Sequence, residues 1–342
     1  MKNYSRLNFF KVAAGAVVAL PLTRSVHAMP AGVKATKSLK LGIIGLDTSH
    51  STAFTKTLNA ADASADYHGH KVVAAYPKGT TDIESAAKRI APYTEEVKKL
   101  GVIIVNSIQE LLALVDAVFL ETNDGRLHLQ QAKEVILAGK PLFIDKPLAT
   151  SLRDGMAIID LAAERKVPVF SSSSLRFMSS VQHVVKGKIG KVIGADTYSP
   201  ATTEKTHPDF FWYGIHGVEL LYTAMGTGCK EVRRVTSGDT DIVTGIWNDG
   251  RIGSFRGTRS GTHDYGGTVY GEKANQTLGP FEGYNALLAE ILKFFETGIV
   301  PVSAAETLEI LAFMEAAAVS KARKGKPVSI ESIMHKAKNK LK

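Results

Sequence analysis

Lys140-Pro141-Leu142-Phe143-Ile144-Asp145-Lys146-Pro147-Leu148-Ala149 reads as a short apolar strand that stops at an acid, a lysine and a proline. Leu142–Ile144 is apolar on successive residues, the pattern of a parallel strand covered on both faces. In open α/β sheets, ligands sit beyond the carboxyl ends of the strands. Asp145 and Lys146 would be presented there, while Pro147 stiffens the exit and removes a donor.

The flanking sequence repeats this alternation. Apolar strand patterns at Leu39–Gly45, Lys71–Tyr76, Val102–Val105, Ala117–Glu121, Pro141–Asp145 and Val167–Ser171 are separated by helical patterns. The helices are expected at Thr48–Ala60, Ile83–Leu100 with a break at Pro92, Ile108–Val115 behind Ser107, Leu127–Ala138 and Leu152–Arg165. Strands alternating with helices predict a doubly wound parallel sheet over 38–172.

After Ser174 the pattern changes. A helix over Phe177–Lys186 precedes a strand at Lys191–Tyr198, a polar loop and a helix at Tyr213–Met225. Short strands follow at Val232–Ser237, Thr240–Trp247 and Arg251–Arg259, then near Thr268–Tyr270 and Ala274–Thr277. Asn248-Asp249-Gly250 marks a hairpin turn. Helices over Tyr284–Thr297 and Ala304–Arg323, the latter opened by Ser303 and Glu306 in capping-box spacing, complete an α+β domain over 173–330. Its sheet is expected to be largely antiparallel, and helix 303–323 is expected to pack back on the first domain. Residues 331–342 are read as a basic tail.

The chain has 342 residues, 44% hydrophobic and 22% charged, which is globular composition sufficient for two domains. Lys2, Arg6 and Lys11 followed by apolar Val12–Leu22 and Val26-His27-Ala28 read as a signal peptide over 1–28, with a linker over 29–37. The apolar run is too short to span a bilayer. Ser5-Arg6-Leu7-Asn8-Phe9-Phe10-Lys11 resembles a twin-arginine signal with its second arginine replaced by leucine. A periplasmic or secreted location is therefore expected. Without residues 1–28, the formal charge falls from +9 to +5, and no basic stripe with interleaved aromatics suggests nucleic acid. The single cysteine, Cys229, excludes an internal disulfide and a cysteine-based metal site, and no metal ligands are assigned.

At the first strand-to-helix turn, Gly42-Ile43-Ile44-Gly45-Leu46-Asp47-Thr48-Ser49-His50 stands where a dinucleotide fold places phosphates on helix amides. Of the glycine fingerprint only Gly45 fits; Asp47 and His50 occupy the other two positions. Asp47 puts negative charge near the phosphate path unless its carboxylate turns away. Thr48, Ser49 and His50 remain candidate contacts. The second strand ends at Tyr76-Pro77-Lys78, without the acid that usually meets an adenosine ribose, and Lys78 is read as solvated. Thr122 and Asn123 lie at the fourth strand's carboxyl edge, with His128 in the helix behind them.

Together these segments resemble the glucose–fructose oxidoreductase/inositol dehydrogenase (Gfo/Idh/MocA) family, from about Leu39 to Ile330. Asp145-Lys146-Pro147-Leu148-Ala149 is similar to its Glu-Lys-Pro motif, Arg176-Phe177 to an arginine–aromatic pair, and Gly214-Ile215-His216-Gly217-Val218-Glu219 to its catalytic-histidine helix. The resemblance implies a Rossmann-like domain joined to an α+β substrate domain and tightly held NAD or NADP. It implies an oxidoreductase acting on a carbohydrate, with Lys146 polarising the reacting oxygen and His216 as acid/base. Gly45, Asp47, Thr48, Ser49, His50, Thr122, Asn123, His128, Asp145 and Lys146 would then face the cofactor, and Arg176, His207, Trp212 and Tyr213 the substrate. Lys205 is a weaker candidate. The aspartate that many members carry one turn before the histidine is Trp212 here, leaving Glu219, Asp209 or His207 as substitutes. A redox-assisted glycoside hydrolase or lyase, and a non-catalytic sugar- or nucleotide-binding protein, stand as alternatives. By analogy, the open sheet of the second domain would serve homo-oligomerisation.

Overall fold

The computed structural model describes residues 37–341. The signal peptide expected over 1–28, and all but the last residue of the linker over 29–37, lie outside the described residues.

Strands β1 (Lys40–Ile44), β2 (Lys71–Tyr76), β3 (Ile103–Ile104), β4 (Ala117–Leu120), β5 (Leu142–Ile144) and β6 (Val169–Ser171) form a sheet in the order β3-β2-β1-β4-β5-β6. Every pair is parallel. The winding reverses between β1 and β4, so a crevice opens at their carboxyl ends. Leu142, Phe143 and Ile144 are wholly buried, because helices cover both faces of the sheet.

Helices α1 (Ser49–Asn59), α2 (Glu84–Lys99), α3 (Ile108–Leu114), α4 (His128–Leu137) and α5 (Leu152–Arg165) connect the strands. Ser107 caps α3 and Ser151 caps α5, each accepting from a backbone N–H of the first turn. Helix α2 does not break at Pro92. Pro92 is exposed, so water can serve the carbonyl one turn earlier that the proline leaves unpaired.

The second sheet contains β7 (Val192–Pro200), β8 (Cys229–Ser237), β9 (Thr240–Trp247), β10 (Ile252–Thr258), β11 (Gly266–Gly271), β12 (Asn275–Leu278) and β13 (Val328–Ser329). Their order is β12-β11-β7-β10-β9-β8-β13, antiparallel except for the parallel β7–β10 pair. Alternation along the strands turns Val243, Trp247, Phe255 and Val269 inward. After the short α6 (Ser179–Val185), α7 (Ile215–Met225) is buried on nearly every side, as its apolar sequence requires.

Three late helices join the two sheets into one body. In α8 (Asn285–Thr297), Phe294 and Phe295 pack edge-on against Phe170 and Phe119 of the first sheet. Thus a helix that follows β12 of the second sheet in sequence helps close the first sheet's core. In α9 (Ala304–Ala322), Glu315 accepts from the Leu152 N–H at the start of α5 at 2.8 Å. The stretch read as a basic tail is a helix, α10 (Ile330–Asn339), whose Ile330, Ile333 and Ala337 are buried.

Candidate active site

A cavity of about 330 Å³ opens at the crevice. Thr48 and the first residues of α1, Ser49 and His50, join Asn123, Asp145 and Lys146 from the first sheet's loops; Trp212, Tyr213, His216, Tyr265, Phe281 and Tyr284 face them. The sheet edge positions the first set. The start of α7 and the loops after β10 and β12 position the second.

Gly45 turns the chain at φ +87°, and a Cβ there would lie 2.5 Å from the Thr122 backbone nitrogen. Only glycine suits this close approach. Asp47 turns away from the cleft, contrary to its expected cofactor contact. Its buried carboxylate accepts from Asn123 N–H at 2.9 Å and Thr80 N–H at 3.2 Å, tying the loops after β4 and β2. Gly79 admits it, since a Cβ there would sit 2.0 Å from Asp47 Oδ2. Burial pushes the Asp47 carboxyl up to about 6, against the pull of those two N–H groups.

Thr48 precedes α1 with no side-chain cap, and the first turn of α1 carries no acid. The Thr48 hydroxyl is buried without a hydrogen-bond partner. Free helix amides and an unused hydroxyl fit a dinucleotide's phosphates. Lys78 lies apart from this cleft, on a second groove with Tyr76, Gly79 and Gln131.

Beneath Lys146, His50 Nδ1 stands 3.2 Å from Asp145 Oδ1 and 3.6 Å from Glu121 Oε2. Burial alone would lower the His50 pKa, but Asp145 and Glu121 outweigh it and raise it to about 10. Burial likewise opposes ionisation of Asp145, yet His50 and Lys146 hold it below the usual carboxylate range. Burial pushes Glu121 up to about 7. Sequence reasoning assigned Glu121 no role; its signal is an acid closing an otherwise apolar strand.

His128 does not reach the cleft. It is wholly buried, with Nε2 2.7 Å from the Thr122 carbonyl and Nδ1 3.0 Å from that of Pro147. It therefore fastens the Thr122 and Lys146-Pro147 turns together. Thr122 is also buried, beneath the cleft wall rather than on it.

On the opposite wall, His216 occupies the first turn of α7, with Nδ1 2.7 Å from Ser173 Oγ. Burial, followed by the charge of Lys146, holds its pKa well below the ordinary histidine value. None of the three expected substitutes for the missing aspartate touches it through a hydrogen bond. Glu219 accepts from Ser173 N–H, Ser172 Oγ–H and Arg176 Nε–H. Asp209 accepts from Arg234. His207 lies 3.5 Å from Asp124 and packs on Trp212.

Arg176 and His207 are accordingly not cleft residues. Arg176 is buried between Glu219 at 3.0 Å and Glu306 at 2.7 Å, because a buried guanidinium requires carboxylate partners. Trp212 and Tyr213 do line the cleft, with Lys146 Nζ 5.8 Å from the Tyr213 ring centre. Phe210 and Phe211 are core. Tyr265, Phe281 and Tyr284 were not foreseen; they lie in loops whose approach to α7 depends on the whole second sheet.

A doubly wound parallel sheet whose carboxyl edge faces a second, largely antiparallel sheet across such a cleft is an α/β architecture of Rossmann-like type. Residues 39–173 match the Gfo/Idh/MocA family, described as an oxidoreductase family with an NAD-binding Rossmann fold. This segment is thus similar to the NAD-binding domain of that family. The 1,5-anhydro-D-fructose reductase of Ensifer adhaerens is 31% identical over 173 residues, 49% of this chain and 48% of that protein. An inositol 2-dehydrogenase of Cereibacter sphaeroides is 30% identical over 126 residues, 36% of this chain and 32% of that protein. The chain thus spans less than half the length of these curated relatives.

The fold likeness is broader. The scyllo-inositol dehydrogenase of Lactobacillus casei, solved with NAD(H) and scyllo-inositol, superposes with TM-score 0.69 at 18% identity, covering 86% of this chain and 100% of that one. An oxidoreductase from Thermotoga maritima gives 0.66 at 18% identity, covering 87% and 100%.

Proposed function

We propose that the protein is a nicotinamide-dependent oxidoreductase that oxidises a secondary hydroxyl of a sugar, glycoside or polyol, or reduces the corresponding ketone. The observation that carries this reading is the meeting of Lys146 and His216, from separate domains, in one aromatic-walled cleft. The names of the sugar- and inositol-acting relatives support the substrate class.

A bound nicotinamide supplies the hydride acceptor or donor. Thr48, Ser49 and Asn123 would hold the dinucleotide at the strand edge. Lys146 donates to the reacting oxygen and stabilises the negative charge that grows on it. His216, neutral in its buried setting, takes the hydroxyl proton at Nε2 during oxidation. The C–H bond's electron pair leaves as hydride, and a carbonyl remains. Ser173 holds the ring from the other side. Its hydroxyl can accept from Nδ1–H, which leaves Nε2 bare in the base form, and it keeps the same bond when the ring is protonated. Trp212 and Tyr213 offer apolar faces for the sugar ring.

The leader read over 1–28 supports an exported setting, where a firmly held nucleotide would be required. The test is to purify the protein gently, identify nucleotide released on denaturation by mass spectrometry, and follow nicotinamide absorbance with inositols, glycosides and keto-sugars. Bound nucleotide and substrate-dependent absorbance change are expected. Absence of both nucleotide affinity and turnover would reject the proposal.

A further inference from the structure

His50, Glu121 and Asp145 are far apart in sequence and meet at the floor of the cleft because they end or follow adjacent parallel strands. Each offers one ligand atom, and these atoms lie within 4.8 Å of one another. All three residues are buried. Their contacts are nevertheless incomplete as hydrogen bonds. Both Glu121 carboxylate oxygens and His50 Nδ1 lack any hydrogen-bond partner. The hydroxyls of Thr48 and Thr122, in the same two loops, are buried and unpartnered as well. Buried polar atoms are almost always satisfied, and a wholly buried carboxylate with two unused oxygens is costly. A metal ion bound at His50 Nδ1 would displace the proton that Asp145 and Glu121 favour on the ring.

The two separations from His50 Nδ1, 3.2 and 3.6 Å, suit ligands of one ion. With metal–ligand bonds of about 2.1 Å, edges of 3.2 and 3.6 Å subtend roughly 100° and 118°, within the range of a distorted tetrahedron. One imidazole and two carboxylates are a donor set for a transition-metal dication rather than for calcium, which prefers oxygen donors. His50 and Asp145 line the cleft whereas Glu121 lies behind them, so the open side of the triangle faces substrate space.

We propose that His50, Glu121 and Asp145 form a binding site for a divalent transition-metal ion, with an open position toward the cleft for water or a chelating oxygen of the substrate. The site is built from protein atoms and does not depend on the reaction proposed above. Another cluster, His68, His70 and Glu296, is less suited. There His70 Nδ1 accepts from Leu39 N–H at 2.9 Å, which places the proton on Nε2, the nitrogen a metal would need.

The test uses the full chain, stripped with chelator and titrated with Co²⁺, whose visible absorption reports protein coordination. Zn²⁺ and Mn²⁺ are titrated in parallel by calorimetry. Wild type and His68→Ala are expected to bind one Co²⁺ per chain with a visible band, and Glu121→Gln to lose the band with at least a tenfold weaker affinity. His50→Gln provides a second variant should Glu121→Gln fail to fold. No stoichiometric binding by wild type, a band abolished by His68→Ala, or a band kept in the folded site variants would overturn the assignment.

Discussion

His216 and Ser173 meet inside the protein, Nδ1 to Oγ at 2.7 Å, where a histidine–carboxylate pair was expected from the family resemblance. The carboxylate is one residue removed: Glu219 binds the backbone N–H of Ser173 at 2.9 Å rather than the imidazole. A hydroxyl partner orients the ring without adding negative charge beside it. The account therefore predicts a histidine that rests neutral, with its proton on Nδ1 toward Ser173 and Nε2 bare.

Ser173→Ala removes that orientation while leaving the backbone contact to Glu219. Loss of one buried hydrogen bond of about 1–1.5 kcal/mol should lower kcat roughly five- to tenfold, with KM little changed. Steady-state kinetics with the best substrate checks this. An increase in KM at constant kcat would assign Ser173 to substrate binding instead.

Burial and the Lys146 charge lower the His216 pKa, with Asp145 opposing and His50 reinforcing the shift. A base that is protonated only well below its ordinary value gives a kcat/KM profile without an inflection at 6.5. For stability the sign is that of a lowered base: the folded protein binds fewer protons, so stability falls as pH drops below 6.5. A kinetic midpoint near 6.5 that disappears in His216→Asn would contradict the neutral, buried histidine.

Asp47 titrates in the opposite sense. Its pKa is raised from 3.8 to about 6 on folding, chiefly by burial. Between these values the folded state binds more protons than the unfolded one, so stability contributed by the protonated form is lost as pH rises through that window. Urea unfolding of wild type minus Asp47→Asn should therefore decrease by an amount of order 2–3 kcal/mol from pH 4 to 7. A flat or rising difference would show that the two backbone donors dominate burial.

Arg176→Met should destabilise strongly, by about 3–5 kcal/mol, because Glu219 and Glu306 lose their shared buried cation. Denaturant unfolding is the readout. A folded variant of normal stability with raised KM would return Arg176 to the substrate list.

The parallel sheet was legible because β1, β4 and β5 are short, apolar and followed by helical periodicity. Lys146 was legible for the same reason: it follows directly where β5 ends. What the sequence concealed are relationships across the chain. Arg176 and Glu219 look like cleft residues in isolation, yet burial pairs them. The bond between Ser173 and His216 joins the end of β6 to the start of α7. Glu121 gains its surroundings only when β4 lies between β1 and β5. Helix α8 resembles part of the second domain until its phenylalanines meet the first sheet. The defective glycine fingerprint misled in a different way: Asp47 is compatible with the turn because Gly79, on another loop, makes room for its carboxylate.

The central claim is that Lys146 stabilises charge on the reacting oxygen in a nicotinamide-dependent reaction. Its most direct test is single-turnover nicotinamide absorbance for wild type and Lys146→Ala, with nucleotide affinity measured on the same samples. The account predicts that the variant retains nucleotide within about threefold while hydride transfer slows by roughly 10²-fold or more. Full-speed transfer in Lys146→Ala would contradict it.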